Sequence, residues 1–261
     1  MDGISVRDLR VSYGPKVVIN SLDVDLPAGK VTTIIGPNGC GKSTFLRAVG
    51  RLVPSSGDIL LSGRDIRSVP RKQLATRLSM LPQTPVAPEG ILVKDLVGRG
   101  RHPHQSWFNQ WSSKDHDVVA EALALTGSSD LAEQPVNELS GGQRQRVWIS
   151  MVLAQQTSVM FLDEPTTYLD LSTSIDVLNL VRRLNTDLNR TIVMVLHDIN
   201  LAARYSDNLV VLRGGDLKAE GTPADIISST LLQEVFNLTA LVREDPATGG
   251  PLVVPAAPGN E

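Results

Sequence analysis

The 261-residue chain contains one cysteine, Cys40, and only 4% aromatic residues. A single cysteine excludes an internal disulfide framework and fits a reducing compartment. Long apolar runs are also missing. The longest, such as "TIVMVL" at 191–196, are strand-sized, far short of the roughly 20 residues that a membrane span needs. Positive charge is not in excess either, with a net charge of −3 and a pI near 5.8. That balance argues against a nucleic-acid binder working through a broad basic surface, and no nucleic-acid partner is expected. The opening "MDGISVRDLRVSYG" scatters its charges and has no apolar core, so it is not expected to be a secretory signal. Repeats and heptads are absent. The rest, 41% hydrophobic and 20% charged, has the balance of a globular chain long enough to bury a large core.

Four short runs organise the chain: "GKVTTIIG" (29–36), "TRLSMLPQ" (76–83), "SVMFLDEP" (158–165) and "TIVMVLHD" (191–198). Each has four to six apolar residues and then polar ones, the pattern of a parallel strand covered on both faces. Helical patterns alternate with them, at 43–52, 173–188 and 199–207, so the fold class is α/β. The polar residues that end the runs, Gly36, Gln83, Asp163 with Glu164, and His197, fall where open α/β sheets bind ligands. The N-terminal segment alternates in the manner of antiparallel strands. Residues 86–146 read as a helical insertion, holding "VKDLVGRG", a polar and aromatic loop "RHPHQSWFNQW", and "SKDHDVVAEALALTG". Beyond Pro255 the Pro- and Gly-rich end is expected to be mobile.

"GPNGCGKST" (36–44) fits G-x-x-x-x-G-K-[ST]. Its glycines let successive backbone N–H groups form an anion nest, completed by the positive end of the following helix. Gly36, Pro37, Asn38, Gly39, Cys40, Gly41, Lys42, Ser43 and Thr44 are therefore candidate phosphate-binding residues. Lys42 would reach the β- and γ-phosphates, and the Ser43 hydroxyl would ligate Mg²⁺. Cys40 reads as a small residue tolerated in the loop rather than a redox switch. Asp163, after a buried strand, is placed to hold the metal, and Glu164 beside it to orient or deprotonate an attacking water. A histidine at His197 would contact the γ-phosphate. A second candidate phosphate site opens the helix of "NELSGGQRQRVWIS" (137–150), at a Ser and two glycines. The residues alone leave open whether the two sites grip one nucleotide or two.

"GPNGCGKST", "LPQ", "LSGGQ", "VMFLDEPTTYLD" and "VLHD", in that order, resemble the ATP-binding cassette ATPases over nearly the whole chain. The resemblance implies a phosphate-loop NTPase core with a mainly parallel sheet, an N-terminal antiparallel β-subdomain and an inserted α-helical subdomain. It implies boundaries at 1–85, 86–146 and 147–261, and the ligands ATP and Mg²⁺. Carried over residue by residue, it puts Tyr13 on the adenine and makes Gln83 a sensor of the metal and of a membrane partner. Ser140, Gly141, Gly142 and Gln143 would form the signature, Asp163 the metal carboxylate and Glu164 the general base. Asp170 would lie in a loop crossing to a second subunit, and His197 would be the switch histidine. On this resemblance the two phosphate sites serve different chains: a head-to-tail homodimer sandwiches two ATPs, each between one copy's loop and the other's signature.

The stretch "GRHPH", with "EPTTYLD" and "RQRVWISMVLAQ", resembles the branch that imports ferric siderophores, haem and cobalamin. Arg101, His102 and His104 would then face an integral membrane permease, served in turn by an extracytoplasmic substrate-binding protein. The chain would sit on the cytoplasmic face of the cell membrane. A metal reading of His102 and His104 is weakened by Pro103 between them and by the lack of a nearby third ligand. Two departures from the branch stand out. Leu92 replaces the usual Thr, so a helix cap is missing that Gly90 could partly supply, and "LSTS" (171–174) replaces a His-Gln pair. A soluble cassette ATPase of iron–sulfur cluster assembly is the alternative, told apart by its partner.

Overall fold

The structure, a computed structural model, describes residues 2–105 and 111–256. It divides into two compact units, Met1–Ser68 with Thr191–Glu261, and Val69–Arg190.

The first unit opens with β1 (Ile4–Tyr13) and β2 (Lys16–Leu26), an antiparallel hairpin in which Val6 faces Val24 and Tyr13 faces Lys16. Alternation on either side of a register shift after Val6 decides its faces: Ile4, Val6, Leu9 and Val11 are buried on one strand, and Ile19, Leu22, Val24 and Leu26 on the other. β3 (Val31–Ile35) is buried at every position, as its continuous apolar run requires. The glycine loop follows, then α1 (Lys42–Val49). β4 (Ser56–Leu61) and the short β5 (Arg64–Asp65) extend the hairpin into a sheet of order β2-β1-β4-β5.

The second unit holds α2 (Arg71–Leu74), β6 (Leu78–Leu81), α3 (Val93–Gly98), α4 (Ser113–Leu125), α5 (Gly141–Ala154), β7 (Val159–Asp163) and α6 (Leu171–Leu188). β6 and β7 pair in parallel, with Leu81 opposite Leu162. β6 belongs with the helices because α5 packs on it and on α6. At Leu92 the side-chain cap is missing, as expected, but the substitute is not Gly90. The orphan N–H groups of Val93 and Lys94 instead bond the carbonyls of Gln134 and Ala132, both at 3.0 Å, so Gly90 is not needed as a substitute.

The chain then returns to the first unit with β8 (Thr191–Val195), α7 (Ile199–Tyr205), β9 (Asn208–Arg213), β10 (Asp216–Gly221), α8 (Pro223–Ile226), α9 (Ser229–Phe236), β11 (Ala240–Glu244) and β12 (Pro251–Pro255). β3 lies between β8 and β9, parallel to both, and β10 closes antiparallel on β9. β11 and β12 form a hairpin that the Pro- and Gly-rich composition of the C-terminus did not suggest. It is docked on α7 by Asn200, which gives its amide hydrogen to the Val253 carbonyl (3.1 Å) and takes one from the Val253 N–H (2.7 Å). The residues expected to be mobile beyond Pro255 lie, but for Ala256, outside the described residues. Among those described, no helix is long and apolar enough to cross a membrane.

Candidate active site

In the first unit, β3 ends at Gly36 and the chain turns through positive φ at Gly36, Gly39 and Gly41 before α1 begins. Gly36 is needed for close approach as well as for its φ. A Cβ there would fall 2.1 Å from the Leu212 carbonyl oxygen and 2.8 Å from Cys40 Sγ. Cys40 is 4% exposed, and burial pushes its thiol up, the opposite of a reactive thiolate. Its carbonyl accepts from the Gly215 N–H at 3.1 Å, which ties the loop to the β9–β10 turn. Lys42, buried at 5% exposure, folds back inside the loop and donates to the carbonyls of Gly36 (2.8 Å) and Pro37 (3.0 Å). Asn38 and Gly39 are exposed at the tip, while Ser43 and Thr44 begin the helix half-buried. Ile34 pairs with Val195, so His197 leaves the neighbouring parallel strand at the same edge as the loop. His197 is exposed, and Asp198 after it caps α7 by accepting from the Leu201 N–H at 2.9 Å. Tyr13 stands at the end of β1, 45% exposed.

The second unit brings Gln83 and Glu164 together. The parallel register that sets Leu81 against Leu162 carries both residues to one edge, and Gln83 Nε2 donates to Glu164 Oε2 at 2.7 Å. Thr167 Oγ1 donates to the same oxygen at 2.9 Å. Glu164 takes a left-handed φ of 55°, an uncommon conformation for a residue with a Cβ, just after the buried Asp163.

"LSGGQ" forms a capping box. Ser140 Oγ accepts from the Gln143 N–H (3.3 Å), and Gln143 Oε1 accepts from the Ser140 N–H (3.0 Å). Gly142 is tight. A Cβ there would lie 2.5 Å from Thr173 Cγ2. Thr173 is in turn fixed by Asp170, whose carboxylate caps α6 by accepting from the Thr173 N–H (2.9 Å) and hydroxyl (2.7 Å). The exposed Asp170 and Gly142 thus meet through one threonine. That threonine sits in "LSTS", and its part could not be read from spacing.

Arg101 needs correction as a surface residue. It is 3% exposed, and its guanidinium donates to Asp115 (2.8 Å), the Ala154 carbonyl (2.7 Å) and Gln156 Oε1 (2.9 Å). A guanidinium needs several partners to lie buried, and this site supplies them. Arg101 holds the Asp115 carboxyl down at about 2, helped by the Ser112 hydroxyl and N–H. His102 and His104 are exposed. His104 Nε2 meets the Gln155 carbonyl at 2.7 Å, and because the carbonyl only accepts, Nε2 carries the hydrogen. Among the described residues no three His, Cys, Asp or Glu side chains are grouped to hold a metal ion. Residues 106–110 of the aromatic loop lie outside the described residues.

A strand, a left-handed glycine loop, an inward lysine and a helix define a phosphate-loop nucleoside triphosphatase. The profile of the ABC transporter family matches residues 19–167. The chain is 48% identical over 258 residues to the petrobactin import ATP-binding protein FpuD of Bacillus anthracis, covering 98% of this chain and 94% of that one. It is 46% identical over 250 residues to the ferric enterobactin transport ATP-binding protein FepC of Escherichia coli, covering 95% and 92%. Among solved structures, a metal-chelate type ABC transporter in an inward-facing conformation superposes with a TM-score of 0.85 at 28% identity over 98% of both chains. The chain belongs to the ABC transporter family, as an ATPase of its importer branch.

Proposed function

We propose that this chain is the ATP-hydrolysing motor of an importer whose cargo is an iron complex, a ferric siderophore ahead of haem or cobalamin. The observation that carries the motor reading is the pairing within one chain of a phosphate loop with a glycine-opened, capped helix at Ser140. The cargo reading rests on the relatives, whose names specify petrobactin and ferric enterobactin. Its partners would be a second copy of itself, a membrane permease and, through that permease, an extracytoplasmic binding protein. The chain would then sit on the cytoplasmic face of the membrane.

In this reading the N–H groups of 38–44 and the Lys42 ammonium hold the phosphates, and Tyr13 stacks on the base. The residues fit such a ligand: three left-handed glycines shape the loop, and apart from Gly39's chain neighbours nothing lies within 4 Å of where its Cβ would be. Ser43 and Asp163 would hold Mg²⁺ with Gln83, an oxygen donor set suited to that ion. Bound there, the ion would neutralise charge developing on the phosphate oxygens. Glu164 takes the proton of the attacking water, and its bonds to Gln83 and Thr167 fix the carboxylate's orientation. His197 holds the γ-phosphate end. Ser140, Gly141, Gly142 and Gln143 address the nucleotide of the second copy, and Asp170 crosses to it. We further propose that residues 86–146 serve as the permease-facing subdomain, between ATPase segments 1–85 and 147–261.

Lys42→Ala and Glu164→Gln test the site. Each should lower steady-state phosphate release by about 100-fold or more, and only Glu164→Gln should keep parental ATP affinity. Turnover at the parental rate in either variant removes that residue from the mechanism.

A further inference from the structure

The signature helix is gripped at its far end. α5 starts at the signature and runs 14 residues to Ala154, a length of about 20 Å. Its last carbonyls have no partner within the helix, and side chains of the turn Arg99–His104 take them: Arg101 binds the Ala154 oxygen, and His104 the Gln155 oxygen. Gly100 permits the approach, since a Cβ there would fall 2.2 Å from the Met151 carbonyl oxygen. Arg101, Gly100 and His104 together therefore clamp the helix, and His102 points outward.

Gln155 extends the grip. Its side-chain amide donates to the carbonyls of Ala75 (2.6 Å), at the end of α2, and of Leu78 (3.3 Å), the first residue of β6. β6 is the strand that delivers Gln83 to Glu164. One residue thus takes the His104 ring on its backbone and holds, with its side chain, the approach to the strand that leads to Gln83, the hydrogen-bond partner of the candidate general base. Both halves lie in the second compact unit.

We propose that Gln155 is a positioning residue for ATP hydrolysis, relaying movement of the turn Arg99–His104 to the Gln83–Glu164 pair while the helix carries it to the signature. The proposal rests on the reading of Glu164 as the general base and of the turn as permease-facing. Gln155 closes the stretch "RQRVWISMVLAQ" but carries no role there, and it touches neither nucleotide nor permease in that reading.

The test uses the full-length chain in the detergent-extracted complex that it forms with its membrane partner. Gln155→Met keeps the size and removes the donor. It should lower kcat about fivefold with KM for ATP within about twofold, and speed hydrogen exchange at Leu78–Leu81. Gln155→Lys donates again and should recover most of the loss. Combining Gln155→Met with His104→Ala should be no worse than the poorer single variant, because both act on one path. Parental kcat in Gln155→Met, equal losses in the Met and Lys variants, or multiplied losses in the double variant would each overturn the relay. Glu164→Gln, run alongside, keeps the two readings apart. Parental turnover there removes the general base, whereas lost turnover there with an unaffected Gln155→Met removes only the relay.

Discussion

Gly142 and Thr173 show how one missing methyl can be structural. The space that a Cβ would need at 142 is held by Thr173 Cγ2, and Thr173 is itself anchored on Asp170. Gly142→Ala should therefore push Thr173 off its cap, a loss of about 1 kcal/mol from the cap alone. Thr173→Ser removes the clashing methyl and keeps the hydroxyl that binds Asp170. The double variant should be more stable than Gly142→Ala by chemical denaturation, although Thr173→Ser alone is neutral or slightly destabilising. Additive losses would mean that the contact is not what constrains Gly142. The phosphate loop and the acidic pair were legible because their chemistry demands fixed spacing. Thr173 and Thr167 were not, since each matters through a contact that the chain path creates.

Two elements make predictions of their own. The turn Arg99–His104 depends on a buried ion pair, with side-chain exposures of 4% for Arg101 and 11% for Asp115. Removing one partner strands the other, so Asp115→Ala should cost about 3–5 kcal/mol. The sign of the pH effect follows from the lowered carboxyl. Its contribution is complete above the ordinary value of 3.8 and is lost as the pH falls from there towards about 2. Urea midpoints measured across that range should fall less steeply in Asp115→Asn than in the parent. The C-terminal hairpin is the second case. Asn200→Ala deletes both of its bonds to Val253 and should speed hydrogen exchange at Pro251–Pro255, while leaving β3 protected. Unchanged exchange in the hairpin would show that the Arg204–Asp245 pair, at 2.7 Å, and packing on α7 and α9 hold it without Asn200. The four buried runs and the helical patterns read between them fall within a few residues of the observed elements, because periodicity and capping act locally, whereas the buried β9 and the helix α9 were not read at all. The hairpin was missed because two prolines frame its last strand and its pairing is set by contacts with α7. Arg101 was misplaced for a related reason: an arginine beside histidines reads as surface until the buried carboxylate 14 positions later is seen.

At the scale of the whole molecule, the question is why one chain carries a phosphate loop and a second glycine-opened helix. The first compact unit holds the loop, and the second holds the signature with Asp170. Head-to-tail pairing of two copies would give each nucleotide one of each and would close with two equivalent sites. Nucleotide would then be part of the interface, so its binding favours the dimer and its hydrolysis loosens it. The most direct measurement is sedimentation velocity of Glu164→Gln with ATP and Mg²⁺. The account predicts a species of twice 28.1 kDa with one ATP per chain. Adding Gly142→Asp should return it to a monomer that still binds ATP. A monomer in the first experiment, or a dimer that survives the second, would contradict it.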